Sequence, residues 1–123
     1  MTTTVRAIRG AIQVDADTPV DIAEATREMM AEIISGNDLE PGDFVSVLFT
    51  VTGDLCSAFP AAAARDGALW DVPMMCATEI SVPGGLPRVI RAMAHVHTTR
   101  SRSEIRHVYL RGAVVLRPDL VTR

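Results

Sequence analysis

The chain contains no lysine: all 12 cationic side chains among its 123 residues are arginines. A lysine Schiff base, a phosphate-loop lysine and a lysine general base are therefore excluded. A GC-rich genome also produces such a set, but the chemical consequence is the same, because a guanidinium grips carboxylates through two parallel hydrogen bonds. Cysteine is scarce, and Cys56 and Cys76 are too few for a disulfide framework or a structural zinc site. Aromatic residues make up 4%, leaving little for base stacking. The net charge of −3 supplies no basic surplus for a phosphate backbone or an anionic membrane surface. No apolar run approaches the ~20 residues needed to span a bilayer. Arg6 and Arg9 interrupt the first apolar stretch, which does not read as a signal peptide. The expectation is a reduced, cytoplasmic protein without nucleic-acid or membrane partners.

What is present describes a globular chain, with 48% hydrophobic and 22% charged residues, and the length fits one domain over residues 1–123. Val5 to Val14 reads as a strand. Thr18-Pro19-Val20-Asp21 is a helix start, with Thr18 as cap, Pro19 in the first turn and Asp21 favouring the dipole. Ile22, Ala25, Met29 and Ile33 continue at helical spacing until Gly36-Asn37, and Pro41-Gly42 makes a turn. Phe44 to Thr52 is so apolar that it reads as a strand covered on both faces. Pro60 to Arg65 predicts a short helix, and Val72 to Ile80 a strand ended by Pro83-Gly84-Gly85. In Pro87 to Thr98, Ile90, Ala92, Ala94 and Val96 alternate with Val89, Arg91, Met93, His95 and His97, which share the other face. Ile105 to Leu110 and Ala113 to Leu116 read as short final strands. The fold class is α+β, with a mixed sheet whose edges call for a partner subunit.

Arg9, Arg91 and Arg117 lie in apolar surroundings, where a charge needs a partner or an exit to solvent. Together with Arg65 they could line a pocket for a small polycarboxylate. Glu79 sits in an otherwise apolar strand, as an ion-pair partner for one of them. His95 and His97 share a strand face, and with His107 as third ligand they could hold a metal; surface or packing histidines are the plainer reading. Cys76 could be a nucleophile only with a base beside it, and otherwise packs as a small apolar group. Gly84-Gly85 is a turn, since neither a helix start nor a lysine follows.

Five blocks resemble the AroH-type chorismate mutases. They are Arg6-Ala7-Ile8-Arg9-Gly10-Ala11, Ala58-Phe59-Pro60-Ala61, Arg88-Val89-Ile90-Arg91, Ile105-Arg106-His107-Val108-Tyr109-Leu110 and Leu116-Arg117-Pro118-Asp119-Leu120. The resemblance runs from about Val5 to Leu120. It implies a mixed β-sheet with helices on one side, the sheets packing into a trimeric pseudo-barrel with active sites between subunits. It also implies an isomerase that converts chorismate to prephenate by an intramolecular Claisen rearrangement, with neither cofactor nor metal. By the same resemblance Arg91 is the catalytic cation beside the ether oxygen, and Glu79 binds the ring hydroxyl with Cys76 nearby. Arg9 and Tyr109 hold a carboxylate and shape the pocket, Met74 and Met75 line it, and Leu116-Arg117 forms its C-terminal flap. Phe59, Ala61 and Arg65 cross from the neighbouring subunit. Three departures are visible: Ala62 stands where some members carry a lysine, Met75 replaces a small polar residue, and the Arg65 to Pro73 connection is one residue shorter. Two other readings attach to the same architecture. A trimeric enamine/imine deaminase should lack the last two blocks, and a metabolite sensor without turnover would not need both Arg91 and Glu79.

Overall fold

The structure is a computed structural model that describes residues 2–117. Its frame is a ten-residue antiparallel ladder between β1 (Thr4–Gln13) and β4 (Val89–Thr98), in register from Thr4 opposite Thr98 to Gln13 opposite Val89. Strand alternation then sorts the side chains. Ile90, Ala92, Ala94 and Val96 are buried on one face, with Ile8 and Ile12 of β1 beside them. Arg91, His95 and His97 are exposed on the other, as the alternation in the sequence requires.

β2 (Phe44–Val51) pairs antiparallel with β4, and β3 (Met74–Thr78) pairs parallel with β2. β5 (Val108–Leu110) pairs parallel with β1, giving a five-stranded mixed sheet in the order β3-β2-β4-β1-β5. The long helix α1 (Pro19–Gly36) starts where expected: the Thr18 hydroxyl accepts from the Asp21 N–H at 3.1 Å, and Pro19 needs no N–H partner in the first turn. Its buried stripe of Ile22, Ala25, Met29 and Ile33 packs on β1 and β2 together with Ala61 and Ala64 of α2 (Pro60–Arg65). Both helices therefore lie on one face of the sheet.

Two contacts hold α1 in place. At Gly10 a Cβ would stand 2.8 Å from Ile33 Cδ1 and 3.2 Å from Met29 Cγ, so the missing side chain is what lets the helix sit directly on β1. At the other end the buried Asn37 amide donates to the carbonyls of Ile33 and Arg106, each at 3.0 Å, and accepts from the Arg106 N–H at 2.8 Å. That exchange satisfies a helix-end carbonyl and ties α1 to the segment entering β5.

The structure corrects four expectations. β2 is not covered on both faces, because Val45 and Leu48 point away from the helices and are about 40% exposed. The strand expected over Val72 to Ile80 contracts to β3, and the one over Ile105 to Leu110 to β5. Ala113 to Leu116 is no strand; it belongs to a 3-10 helix spanning Arg111–Leu116. β1 ends at Gln13, so the chain beyond Leu110 has no ladder to join, and Arg111 turns it aside with φ of 54°. Pro118, Asp119 and Leu120 of the last sequence block lie outside the described residues.

Gly10→Val should push Ile33 and Met29 off β1 and destabilise the fold by about 1–3 kcal/mol, the usual range for overpacking. Denaturant unfolding checks this; an unchanged midpoint would mean that α1 can ride higher on the sheet without loss.

Candidate active site

The face of the sheet away from the helices carries one row of residues across all five strands. Ala77 of β3 is paired with Thr50 of β2, Thr50 with Arg91 of β4, Arg91 with Ala11 of β1, and Ala11 with Tyr109 of β5. The adjacent row runs Met75, Leu48, Met93 and Arg9. Small side chains at Ala77, Thr50 and Ala11 leave the long Arg91 side chain standing in a hollow. A cavity of about 260 Å³ opens there, lined by Arg9, Leu48, Glu79, Arg91, Met93 and Tyr109 among others. A second of about 550 Å³ adjoins it, bounded by Glu79, Arg91, Leu116 and the loop that carries Ile80, Val82 and Leu86. Glu79 and Arg91 are the residues the two cavities share.

Glu79 continues the parity of Met75 and Ala77 beyond the end of β3, its N–H still bonded to the Val51 carbonyl at 2.8 Å. Its Oε1 accepts from the Thr50 hydroxyl at 2.6 Å and stands 3.0 Å from Arg91 Nε in an ion pair. The Arg91 side chain is 45% exposed and that of Glu79 21%. A pair so open to water contributes little to folding, about 0–1 kcal/mol. Among the described residues, Arg91 makes its only ion pair through Nε, so the Nη edge of the fork remains available to an anion.

Tyr109 is buried beside Ala11, Val89 and Ala113, with Leu86 and Leu116 packed on the same small cluster. It walls the smaller cavity, whereas Leu116 borders the larger, with Arg117 next to it at the end of the 3-10 helix. The β1 backbone beside Arg9 is fixed by its N–H, which donates to His107 Nδ1 at 2.9 Å. His107 is thus engaged with β1, while His95 and His97 sit on the open face of β4. No group of three His, Cys, Asp or Glu among the described residues is arranged to hold a metal.

A model of the family "Chorismate mutase type I" matches residues 5–120. The chain belongs to the type I chorismate mutases. It is 51% identical over 117 residues to the chorismate mutase AroH of Thermus thermophilus, covering 94% of this chain and 96% of that one. It is 44% identical over 117 residues to the chorismate mutase AroH of Bacillus subtilis (strain 168), covering 94% and 92%. A solved chorismate mutase from Clostridium thermocellum superposes with a TM-score of 0.88 at 45% identity, covering 89% of this chain and 98% of the other.

Set against what that family implies, the structure brings Arg9, Glu79, Arg91, Tyr109 and Leu116 to the two cavities of one chain. It does not bring Phe59, Ala61 or Arg65 to either. Phe59 precedes α2 and is 71% exposed, Ala61 is buried in the helix-side core, and Arg65 is exposed at the end of α2. On β3, alternation separates the expected lining residues. Met74 and Cys76 turn toward the helix-side core next to Val47 and Phe49, and only Met75, 71% exposed, faces the open side. Thr50, Leu48 and Met93 were missed in the sequence. The alternation in Val89–Thr98 already puts Met93 on the face of Arg91, but counting by twos from Phe44 puts Leu48 and Thr50 on the core side, because the register with β4 shifts between Phe44 and Ser46.

The loop before α2 is tied down by one carboxylate. Asp17 Oδ1 accepts from the N–H groups of Cys56 at 3.0 Å and Ser57 at 3.1 Å, and Oδ2 faces the Cys56 thiol at 3.3 Å. Hydrogen bonding from Ser57 and then Cys56 holds the Asp17 carboxyl below the ordinary aspartate range. The same contact, with the charge of Asp17 beside it, pushes the Cys56 thiol up. This clamp sets Phe59 on the surface three residues later. Since the thiolate is the form that alkylates, iodoacetamide labelling of the exposed Cys56 should begin at higher pH than for a free thiol. Asp17→Asn should move that onset to lower pH; an unmoved profile would show that the Asp17 contact is not made in solution.

Proposed function

We propose that this chain converts chorismate to prephenate by an intramolecular Claisen rearrangement, at sites completed by a second copy of itself. The observation that carries the reading is Arg91: a guanidinium on the floor of a cavity, tied by one edge to Glu79 and open along the other. In this reaction the ether C–O bond breaks as a C–C bond forms within the same molecule. No proton is transferred, and neither an oxidant nor a hydrolytic water takes part. What the reaction needs is a substrate folded into its reactive conformer and a cation where the ether oxygen gathers negative charge.

In this reading the Nη edge of Arg91 meets the ether oxygen, and Glu79 accepts from the ring hydroxyl. Arg9, projecting from the adjacent row, holds a substrate carboxylate, and Tyr109 forms the wall behind it. Leu116 and Arg117 close the mouth of the larger cavity. On β3, Met75 offers apolar surface, while Met74 and Cys76, turned to the core, contribute through the strand's main chain. The substrate and its product are small dicarboxylates, which suits a chain whose cations are all guanidinium. No cofactor enters the chemistry. We place the reaction in the cytoplasm, where Cys56 and Cys76 stay as free thiols.

The open sheet face supports the oligomer. Leu48 is 41% and Met75 71% exposed beside the cavity, which is apolar surface that a second copy would cover. Phe59 and Arg65, displayed on the far side of their own chain, are then placed to complete the cavity of a neighbour, with the Ala61 backbone between them. The resemblance points to three copies. Light scattering should give three times the chain mass, and a monomer at micromolar concentration would contradict it. Mixing Arg65→Ala and Arg91→Ala subunits should restore activity, since some interfaces then pair an intact Arg65 with an intact Arg91. No recovery on mixing would place both arginines in one subunit's site.

The chemistry is tested with purified protein in a chelator-containing buffer, following loss of chorismate and appearance of prephenate. Replacing Arg91 by a neutral side chain of similar length should lower kcat about 10²–10³-fold with a far smaller rise in KM. Arg65→Ala should act mainly on KM, because it holds a carboxylate present in ground and transition states alike. If both substitutions gave the same KM-dominated loss, Arg91 would be a substrate clamp and the electrostatic mechanism would fail.

A further inference from the structure

The two contacts of Glu79 converge on a single oxygen. Oε1 accepts from the Thr50 hydroxyl at 2.6 Å and lies 3.0 Å from Arg91 Nε in an ion pair, and among the described residues nothing hydrogen-bonds Oε2. An arginine and a carboxylate left to themselves favour the two-point, fork-to-fork arrangement, which engages both carboxylate oxygens and a terminal nitrogen of the guanidinium. Here that arrangement would consume the two atoms the reaction requires, Glu79 Oε2 and an Arg91 Nη. The Thr50 hydroxyl stands in its way. Thr50 is the register partner of Arg91 on the neighbouring strand, and its β-branch restricts χ1, so the hydroxyl is delivered from a fixed direction.

We propose that Thr50 is a positioning residue for the rearrangement: by holding Glu79 Oε1 it keeps the ion pair one-point, leaving Oε2 for the substrate hydroxyl and the Nη edge for the ether oxygen. This rests on the roles given above to Glu79 and Arg91. It accounts for a hydroxyl at this position of β2, directly opposite Arg91 and within reach of Glu79. A valine has nearly the same shape and packs equally well between Ala77 and Arg91.

The experiment compares Thr50→Val and Thr50→Ser, each alone and in a Glu79→Gln background, with chorismate as substrate. Loss of one hydrogen bond to a charged group predicts a fall of about 10- to 100-fold in kcat/KM for Thr50→Val, carried mainly by kcat. Thr50→Ser, which keeps the hydroxyl, should stay within a few-fold of the parent protein. In the Glu79→Gln background Thr50→Val should add little, because its target is already altered. The inference is overturned if Thr50→Val retains parental kcat/KM, if Thr50→Ser falls as far as Thr50→Val, or if Thr50→Val costs as much with Glu79→Gln as without it. If the parent protein fails to turn over chorismate, it is the functional reading that falls, and the inference falls with it; a parent that is active beside an undamaged Thr50→Val overturns the inference alone.

Discussion

A guanidinium standing half in water, on a sheet face that its own chain leaves open, is an unfavourable thing to build for stability. The Arg91–Glu79 contact is too exposed to return much folding energy, and the small residues around it forgo the packing that larger side chains would supply. The rest of the architecture follows from tolerating that hollow. Most of the large buried side chains, from Ile8 and Ile12 to Met29, Ile33 and Phe49, are committed to the other face, where both helices sit, while Tyr109 and Val89 form a small cluster on the Arg91 side. Gly10 lets α1 come down directly on β1, so that a single layer of helices is enough to hold the sheet rigid. Rigidity matters because a cation stabilises developing charge only if it need not reorganise when the charge appears.

The same division of labour bears on the proposal that a second copy completes the site. The cations Arg9 and Arg91 stand on the open face of β1 and β4, and Glu79 continues the parity of β3 just beyond its end. The helix-side elements cannot reach over the sheet edge into their own cavity. In the proposed reading Phe59 and Arg65 serve a neighbour's cavity, and the Asp17 clamp on Cys56 and Ser57 ties down the loop that carries Phe59.

Much of this is legible in the sequence. The apolar alternation in Val89–Thr98 placed Arg91 opposite the core, and the Thr18-Pro19 start and Gly36-Asn37 end bounded the long helix to the residue. Arg9 and Glu79 stood out as charges in apolar strands, Tyr109 entered through the resemblance, and the three do converge. What was not legible depended on pairing. Thr50 meets Glu79 across 29 residues of sequence, and no local pattern announces such a contact. The side of β3 that Cys76 takes is decided by its register with Phe49, and that register also removes it from the cavity wall. The Ala113 to Leu116 run has the composition of a strand, but the β1–β5 ladder stops at Leu110 opposite Ile12 and the chain turns into a 3-10 helix.

The central claim is that fixed charge, rather than proton transfer, performs the chemical step. The most direct measurement is kcat at saturating chorismate from about pH 6 to about pH 9, repeated in heavy water. The account predicts a flat profile and equal rates in the two solvents, since no proton moves when the ether bond breaks. A bell-shaped profile centred near neutrality, or a rate depressed severalfold in heavy water, would contradict it and assign the step to a titrating side chain.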